Sequence, residues 1–132
     1  MAILIPIEDS GGAYAEHVVV EADQVVAAPA GSSHAEDATL PMNGLTARRA
    51  LDVLDLPAGK ILAVTGAAGA VGGYVLQLAK ASGLRVIADA APADEQLVTD
   101  LGADEVVTRG PGIGRRIRQR HPDGVDAVVD AA

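Results

Sequence analysis

The sequence predicts an α/β fold with a parallel sheet, and three observations support this prediction. In the second half of the chain, apolar runs alternate with stretches of helical periodicity, a rhythm typical of parallel strands joined by helices. The run Lys60–Thr65 is continuous, as expected for a parallel strand that is buried on both faces. Hydrophobic residues make up 49% of the sequence but aromatic residues only 2%, so the core must consist of Ala, Val, Leu and Ile.

Four strands and three helices are predicted after residues 57–59, where Pro-Ala-Gly interrupts the chain. The strands are Lys60–Thr65, Arg85–Asp89, Glu105–Thr108 and Val125–Val129. The helices are Ala70–Ser82, Ala93–Leu101 and Ile113–His121. Right-handed crossovers would join these elements into one parallel sheet. Because its last strand would be an apolar edge, we expect the sheet to be incomplete or to pair with a second copy in a homodimer.

The first part of the chain has a different pattern. Ala15–Val20 and Gln24–Ala28 are rich in valine and predict two short strands with a turn between them. Ser32 or Ser33 can cap a short helix over His34–Leu40. A second helix is predicted to begin at Asn43 or Thr46, because good helix formers follow.

Composition excludes several classes of function. A formal net charge of −8 disfavours binding to nucleic acid and to anionic membranes. The chain has no cysteine, and its three histidines (His17, His34 and His121) lack the spacing of metal ligands, so we predict no metal site. The first residues form neither a signal peptide nor a membrane span, so a cytoplasmic protein is expected. A late cluster of arginines is interpreted as the solvated face of a short helix: Arg109, Arg115, Arg116, Arg118 and Arg120.

The stretch from Thr65 to Gly72, Thr-Gly-Ala-Ala-Gly-Ala-Val-Gly, carries the strongest functional signal. It follows a predicted buried strand and opens a helix, where backbone N–H groups at a positive helix end favour a pyrophosphate. Gly66 would make the tight turn, Gly69 would let the phosphate approach, and Gly72 would let the helix pack closely. The predicted cofactor-binding residues of this turn are Gly66, Ala67, Ala68, Gly69, Ala70, Val71 and Gly72.

Asp89 ends the second predicted strand of this part, about 20 residues beyond the glycines, where a carboxylate accepts hydrogen bonds from the adenosine ribose. Such a carboxylate would repel a 2′-phosphate, and no Lys or Arg lies between Asp89 and Leu101. Both observations favour NAD(H). The alternative is that Asp89 is solvated and lies one position short of the ribose, so both NAD(H) and NADP(H) stay open.

Five motifs occur in order along the chain: Gly12–Val20, Leu40–Ala47, Ala63–Gly72, Gln77–Lys80 and Leu101–Asp104. Together they resemble the medium-chain dehydrogenase/reductase superfamily, and within it the zinc-free quinone-oxidoreductase-like branch, whose members are usually NADPH-dependent. The resemblance runs from about residue 11 to residue 132. One departure is that the basic contacts of that branch to the 2′-phosphate have no counterpart after Asp89.

The resemblance implies a GroES-like catalytic domain followed by a Rossmann domain. Residues 1–56 would be the last strands and helix of the first domain with the connecting helices, and residues 57–132 a partial dinucleotide-binding Rossmann domain of about four strands. The chain would then be a partial one. Thr46 is implied to lie near the nicotinamide, and Asn43 and Gly44 to line the same region.

The implied activity is hydride transfer from NAD(P)H to a quinone, an enone or a similar small-molecule acceptor. No general acid stands out, since Glu36, Asp52 and Asp55 lie in helical stretches and are expected to be solvated. A short-chain reductase is a rival interpretation, but it needs a Tyr with a Lys four residues later, and Val18 and Leu78 follow the two tyrosines at that spacing. The other alternative is a non-catalytic remnant that at most binds a dinucleotide or self-associates.

Overall fold

The computed structural model describes residues 1–3 and 15–132, which form two compact units, Met1–Met42 and Asn43–Ala132. The first part of the Gly12–Val20 motif, with Tyr14, lies outside the described residues. No helix in the described ranges is long and apolar enough to cross a membrane. The division into domains at residues 56 and 57 stays a prediction.

The two strands predicted in the first unit are wrong. The structure has a short 3-10 helix at Ala22–Gln24 and no strand within residues 15–33. Val26 does pair with Met1, since the Val26 N–H donates to the Met1 carbonyl at 2.9 Å and the Met1 amine donates to the Val26 carbonyl. Strand-forming side chains cannot make a ladder without a neighbouring strand, and the side chain of Val19 is fully exposed.

One continuous helix, α1 (His34–Leu54), replaces the two predicted helices. Ser33 caps it through a reciprocal pair of bonds: its hydroxyl accepts from the Glu36 N–H at 3.3 Å, and its N–H donates to the Glu36 carboxylate at 2.8 Å. Pro41 lies inside the helix and removes only one N–H donor, while its fixed φ is compatible with helix. The chain therefore does not break at Pro41, and neither Asn43 nor Thr46 begins a helix.

The four predicted strands are confirmed to within two residues at their ends, as are the three helices. The strands are β1 (Ile61–Thr65), β2 (Arg85–Ala90), β3 (Glu105–Thr108) and β4 (Ala127–Asp130). The helices are α2 (Ala70–Ala81), α3 (Glu95–Asp100, after a 3-10 turn at Pro92–Asp94) and α4 (Ile113–Arg120). All the strands are parallel, in the spatial order β3-β2-β1-β4. This is the Rossmann-type order.

Helices cover both faces of the sheet. On one face the buried strand residues pack with Ala47 and Leu51 of α1 and with Val75 and Leu76 of α2. On the other face, Ala63, Ile87 and Val107 of the strands pack against Ile113 and Ile117 of α4. No Phe or Trp is available, so the core is built from small aliphatic side chains that let the helices approach the sheet closely.

Two carboxylates, which we call the amino-edge carboxylates, fix the outer strands to the inner ones. Asp104 immediately precedes β3, and its backbone N–H and carboxylate bond the carbonyl and N–H of Val86 in β2 at 2.8 and 2.9 Å. Asp126 immediately precedes β4 and bonds Ile61 of β1 in the same two ways, at 2.9 and 2.8 Å. The second carboxylate oxygen accepts from a lysine in each case: Lys80 for Asp104 and Lys60 for Asp126.

We expect these contacts to make the fold lose stability in acid. Bonding from the Ile61 N–H and then Lys60 lowers the pKa of Asp126. Burial alone would raise the pKa of Asp104, but bonds from Lys80 and the Val86 N–H outweigh it and lower that pKa. A lowered folded-state pKa stabilises the fold above the unfolded pKa of about 4, and this contribution is lost as the pH falls through the folded value.

The measurement is the free energy of unfolding as a function of pH. Asp126→Asn should lose less stability than the unsubstituted chain as the pH falls below about 4, because one linked proton uptake is gone. Asp123→Asn, at an exposed site nearby, is the matched control and should leave the slope unchanged. Equal slopes in all three chains would contradict this prediction.

Candidate functional site

The strand order creates a crevice at one edge of the sheet. The chain passes outward from β1 to β2 and β3, then crosses back to place β4 on the other side of β1. At such a switch point the connections leave the carboxyl ends of β1 and β4 in opposite directions, and ligands of open α/β sheets bind there. The residues at this point are the Gly66–Gly72 turn after β1 and Asp130–Ala132 at the end of β4.

The turn after β1 is held by its own backbone. Gly66 has φ +67°, in the left-handed region, and its carbonyl accepts from the Gly69 N–H at 2.9 Å. A Cβ on Gly66 would lie 2.4 Å from the carbonyl oxygen of Ala131. Glycine at this position therefore satisfies both the turn and the close approach of the chain that leaves β4.

Gly72 has a packing role, as the sequence predicted. A Cβ there would lie 2.2 Å from the Gly66 carbonyl oxygen and 2.7 Å from the Ala67 Cα. The first turn of α2 thus rests directly on the turn that precedes it. This contact fixes the amino end of α2 at the crevice. The first N–H groups of the helix have no partner within the helix.

Gly69 differs from these two glycines. It is the N-cap of α2, with φ −79° and ψ 172°, a conformation that any residue adopts. A Cβ on Gly69 would meet only the Gly66 carbonyl oxygen, at 3.1 Å. Backbone strain does not require a glycine here, and the crowding that a Cβ would meet is milder than at Gly66 or Gly72. The role of Gly69 toward a phosphate stays a prediction.

Asp89 is buried, with 7% of its surface exposed, so the alternative that it is solvated is wrong. Its carboxylate accepts from the N–H of Ala67 at 3.1 Å. Ala67 is fully buried, so this bond satisfies a donor that water cannot reach. Asp89 therefore ties the glycine turn to β2, and its contact with a ribose stays a prediction.

Asp130 is a residue of this edge that the sequence analysis missed. The Thr65 hydroxyl donates to its carboxylate at 2.6 Å and the Ala132 N–H donates at 3.2 Å. These two bonds, in that order, lower the pKa of Asp130. The signal in the sequence was an acidic residue at the carboxyl end of the last strand, since the ends of parallel strands gather at one edge.

Comparison with known proteins agrees with this geometry. The zinc-binding dehydrogenase family model matches residues 70–132. The chain is 39% identical over 129 residues to the chloroplastic quinone-oxidoreductase homolog of Spinacia oleracea, covering 93% of this chain and 39% of that protein. The quinone oxidoreductase of Thermus thermophilus, solved also as a complex with NADPH, is 34% identical with a TM-score of 0.71, over 80% of this chain and 35% of that one.

A mycobacterial protein solved in complex with NADPH is 29% identical with a TM-score of 0.73, over 81% of this chain and 34% of that one. The chain is a quinone-oxidoreductase-like member of the medium-chain dehydrogenase/reductase superfamily. It spans about two fifths of the length of the curated relatives that it matches.

The superfamily resemblance implied that Asn43 and Thr46 lie near a nicotinamide. The structure places them one turn apart on α1, where Asn43 and Gly44 are half-buried and Thr46 is exposed. Ala47, the next residue, is fully buried in the sheet core and fixes this part of α1 on the sheet. The proximity of Asn43 and Thr46 to a nicotinamide stays a prediction.

Metal ligands were also considered, because the matching family model is that of zinc-binding dehydrogenases. Within residues 1–3 and 15–132, no three His, Cys, Asp or Glu side chains are grouped as a metal site. His121 is instead bonded to Glu105 at 2.8 Å, a contact between the end of α4 and the start of β3.

Proposed function

We propose that the Gly66–Gly72 turn binds the pyrophosphate of a nicotinamide dinucleotide. The observation that supports this proposal best is the difference among the three glycines of the turn. Gly66 and Gly72 are required by contacts within the chain, whereas Gly69 has an ordinary backbone conformation and a Cβ there would meet one atom, the Gly66 carbonyl oxygen at 3.1 Å. An absent Cβ at the N-cap of α2 leaves room for a ligand to approach the helix N–H groups.

The chain's own residues account for how such a ligand would be held. N–H groups at the start of α2 would donate to the pyrophosphate oxygens, and Ala68 through Val71 would line its approach. Ala67 is fully buried and supports the turn from below through its bond to Asp89. Asp89 holds the turn in place from β2, so the donors are fixed before the ligand arrives. Preorganised donors bind without a cost for ordering them at the moment of binding.

We further propose that the chain provides cofactor binding for a reductase whose hydride acceptor is a quinone or an enone-type compound. When bound, the reduced nicotinamide supplies the hydride. Relatives named as quinone oxidoreductases support this acceptor class. The contribution of the described residues is to bind and orient the cofactor, with Asn43 and Thr46 proposed beside the nicotinamide. Binding without turnover would instead favour the non-catalytic alternative.

The test is calorimetric titration of the folded chain with NADPH and with NADH. Gly69→Val should lower the affinity at least about tenfold, because the side chain would occupy the space proposed for the phosphate and break charge-assisted bonds. Gly114→Val is the matched control: Gly114 is a helical glycine with nothing within 4 Å of an added Cβ, and this variant should bind normally.

Circular dichroism should show both variants folded. The proposal fails if the folded, unsubstituted chain binds neither cofactor. It also fails if Gly69→Val binds as well as Gly114→Val does. Oxidation of the bound reduced cofactor on adding a quinone, followed by its absorbance, tests the acceptor class separately.

A further inference from the structure

The segment that leaves β4 lies directly against the glycine turn that leaves β1. A Cβ added to Gly66 would lie 2.4 Å from the carbonyl oxygen of Ala131 and 2.7 Å from the backbone nitrogen of Ala132. The Ala131 N–H also donates to the Thr65 carbonyl at 3.0 Å. All of these atoms belong to the backbone, so the position of Gly66 is linked to the position of the segment after β4.

A hydrogen bond joins the two residues that precede this contact. The Thr65 hydroxyl donates to Oδ1 of Asp130 at 2.6 Å, and the Ala132 N–H donates to the same oxygen at 3.2 Å. Thr65 and Asp130 also lie opposite each other in the pairing of β1 with β4. Asp130 therefore holds the last residue of β1 and the segment after β4 at the same point.

This bond is not needed to satisfy a buried group. Thr65 is half-buried and Asp130 is exposed, so water can reach both side chains. Asp89, in the strand on the other side of β1, differs because it accepts from the N–H of the fully buried Ala67. Burial explains the Asp89 bond, whereas the place of the Asp130 bond beside the glycine turn points to a different role.

The loop after β3, at the same edge of the sheet, is held from within its own helix. The Arg116 guanidinium donates to three backbone carbonyls: Thr108 at 3.0 Å, Gly110 at 3.0 Å and Pro111 at 2.9 Å. The predicted solvated face of α4 is therefore wrong for Arg116. None of these three bonds involves β4, so a substitution at Asp130 is expected to leave this loop in place.

The position of Gly66 determines where α2 begins. The Gly66 carbonyl accepts from the N–H of Gly69, the N-cap of α2, at 2.9 Å. The same carbonyl oxygen lies against Gly72 in the first turn of the helix, where an added Cβ would be only 2.2 Å away. Hydrogen bonds weaken steeply as their angle departs from linear, so a shift of this turn would misalign the first N–H groups of α2 with a bound anion.

We propose that Asp130 is a positioning residue of the dinucleotide site: by holding Thr65, it sets the glycine turn so that the first N–H groups of α2 meet the pyrophosphate. This inference rests on the proposed pyrophosphate site. Asp130 does not bind the phosphate itself, because two negative charges repel each other. Its charge opposes the binding of a dinucleotide, whereas its bond to Thr65 favours it, and substitution can separate the two effects.

Calorimetric titration with NADPH of folded Asp130→Asn and Asp130→Leu makes this separation. Asparagine removes the charge, but its amide oxygen can still accept from the Thr65 hydroxyl, so the affinity should stay within about twofold or rise. Leucine removes both the charge and the acceptor, and the affinity should fall about fivefold, the effect of one hydrogen bond. Asp123→Leu, at an exposed site outside the strands, is the matched control and should bind NADPH normally.

Substitution of Thr65 tests the same bond from the other side. Thr65→Val keeps the shape but removes the hydroxyl, so NADPH binding should weaken at least as much as in Asp130→Leu. Thr65→Ser keeps the hydroxyl and should bind normally. The double variant Thr65→Val, Asp130→Leu should bind no more weakly than Thr65→Val alone, because the same bond is lost in both.

Three results would overturn this inference and leave the pyrophosphate site intact. One is an unchanged affinity in Asp130→Leu and Thr65→Val, whatever their stability in urea, since the bond would then serve the fold alone. Another is tighter binding by Asp130→Leu, which would leave the charge as the only effect of this residue. The third is additive losses of affinity in the double variant. Binding of neither NADPH nor NADH by the folded, unsubstituted chain would instead remove both proposals together.

Discussion

Gly72→Ala is expected to destabilise the fold by about 3 kcal/mol or more, in the upper range for overpacking. The added methyl would lie 2.2 Å from the Gly66 carbonyl oxygen and 2.7 Å from the Ala67 Cα. Both are backbone atoms of the glycine turn, so no side chain can rotate away to relieve the overlap. Either α2 moves away from the sheet or the turn is distorted. Urea denaturation, followed by circular dichroism, measures the loss.

Gly114→Ala is the matched control for this substitution. Gly114 lies in α4, and an added Cβ would have no neighbour within 4 Å. Alanine at an uncrowded helical position is more favourable than glycine by up to about 1 kcal/mol, so this variant should be slightly more stable. A similar change in stability for both variants would show that the contact between α2 and the glycine turn is looser than the structure has it.

Asp89→Leu should destabilise the fold by about 2 kcal/mol, the cost of leaving a buried backbone donor without a partner. The leucine keeps the branched shape of the aspartate but removes the oxygen that accepts from the Ala67 N–H. Because Ala67 is fully buried, water cannot replace that oxygen. The same variant should bind a dinucleotide more weakly, since the turn loses its link to β2.

Asp89→Asn separates the hydrogen bond from the charge. Its amide oxygen can still accept from the Ala67 N–H, so stability should stay within about 1 kcal/mol of the unsubstituted chain. Denaturation and NADPH titration of the two variants side by side provide the measurement. If asparagine destabilised the fold as much as leucine does, the charge of Asp89 and not its bond to the turn would be the important feature.

The strands of the sheet could be predicted because each has a short apolar stretch bounded by turn residues, and in β1 this stretch is continuous. The middle of β1 is buried on both faces of the sheet, at Leu62, Ala63 and Val64. A strand buried on both faces has consecutive apolar residues, and this is the pattern in the sequence.

The glycine turn was predictable because its requirements are partly local: Gly66 has a positive φ, and Gly72 contacts Gly66 and Ala67. The close approach of Ala131 to Gly66 comes from the distant end of β4 and could not be predicted from the turn itself.

The residues that were missed depend on contacts between distant parts of the chain. The backbone bond from Arg109 to Ala90, for example, exists only because β3 lies beside β2. Asp130 becomes part of the site through Thr65, which is 65 positions away. The expected strands before α1 failed because local valine content does not supply a neighbouring strand.

Because of the amino-edge carboxylates, the outer strands are held more firmly at their amino ends than β3 is at its carboxyl end. Asp104 and Asp126 each bond both backbone groups of one residue in the adjacent strand, so neither β3 nor β4 can slip by a residue without breaking its pair. At the other end, the Arg109 N–H donates to the Ala90 carbonyl, and among the described residues no carboxylate bond accompanies it. We therefore expect transient separation of β3 from β2 to begin at the edge that carries the candidate site. Amide hydrogens there should exchange with solvent sooner than those beside Asp104, and a bound dinucleotide should slow them.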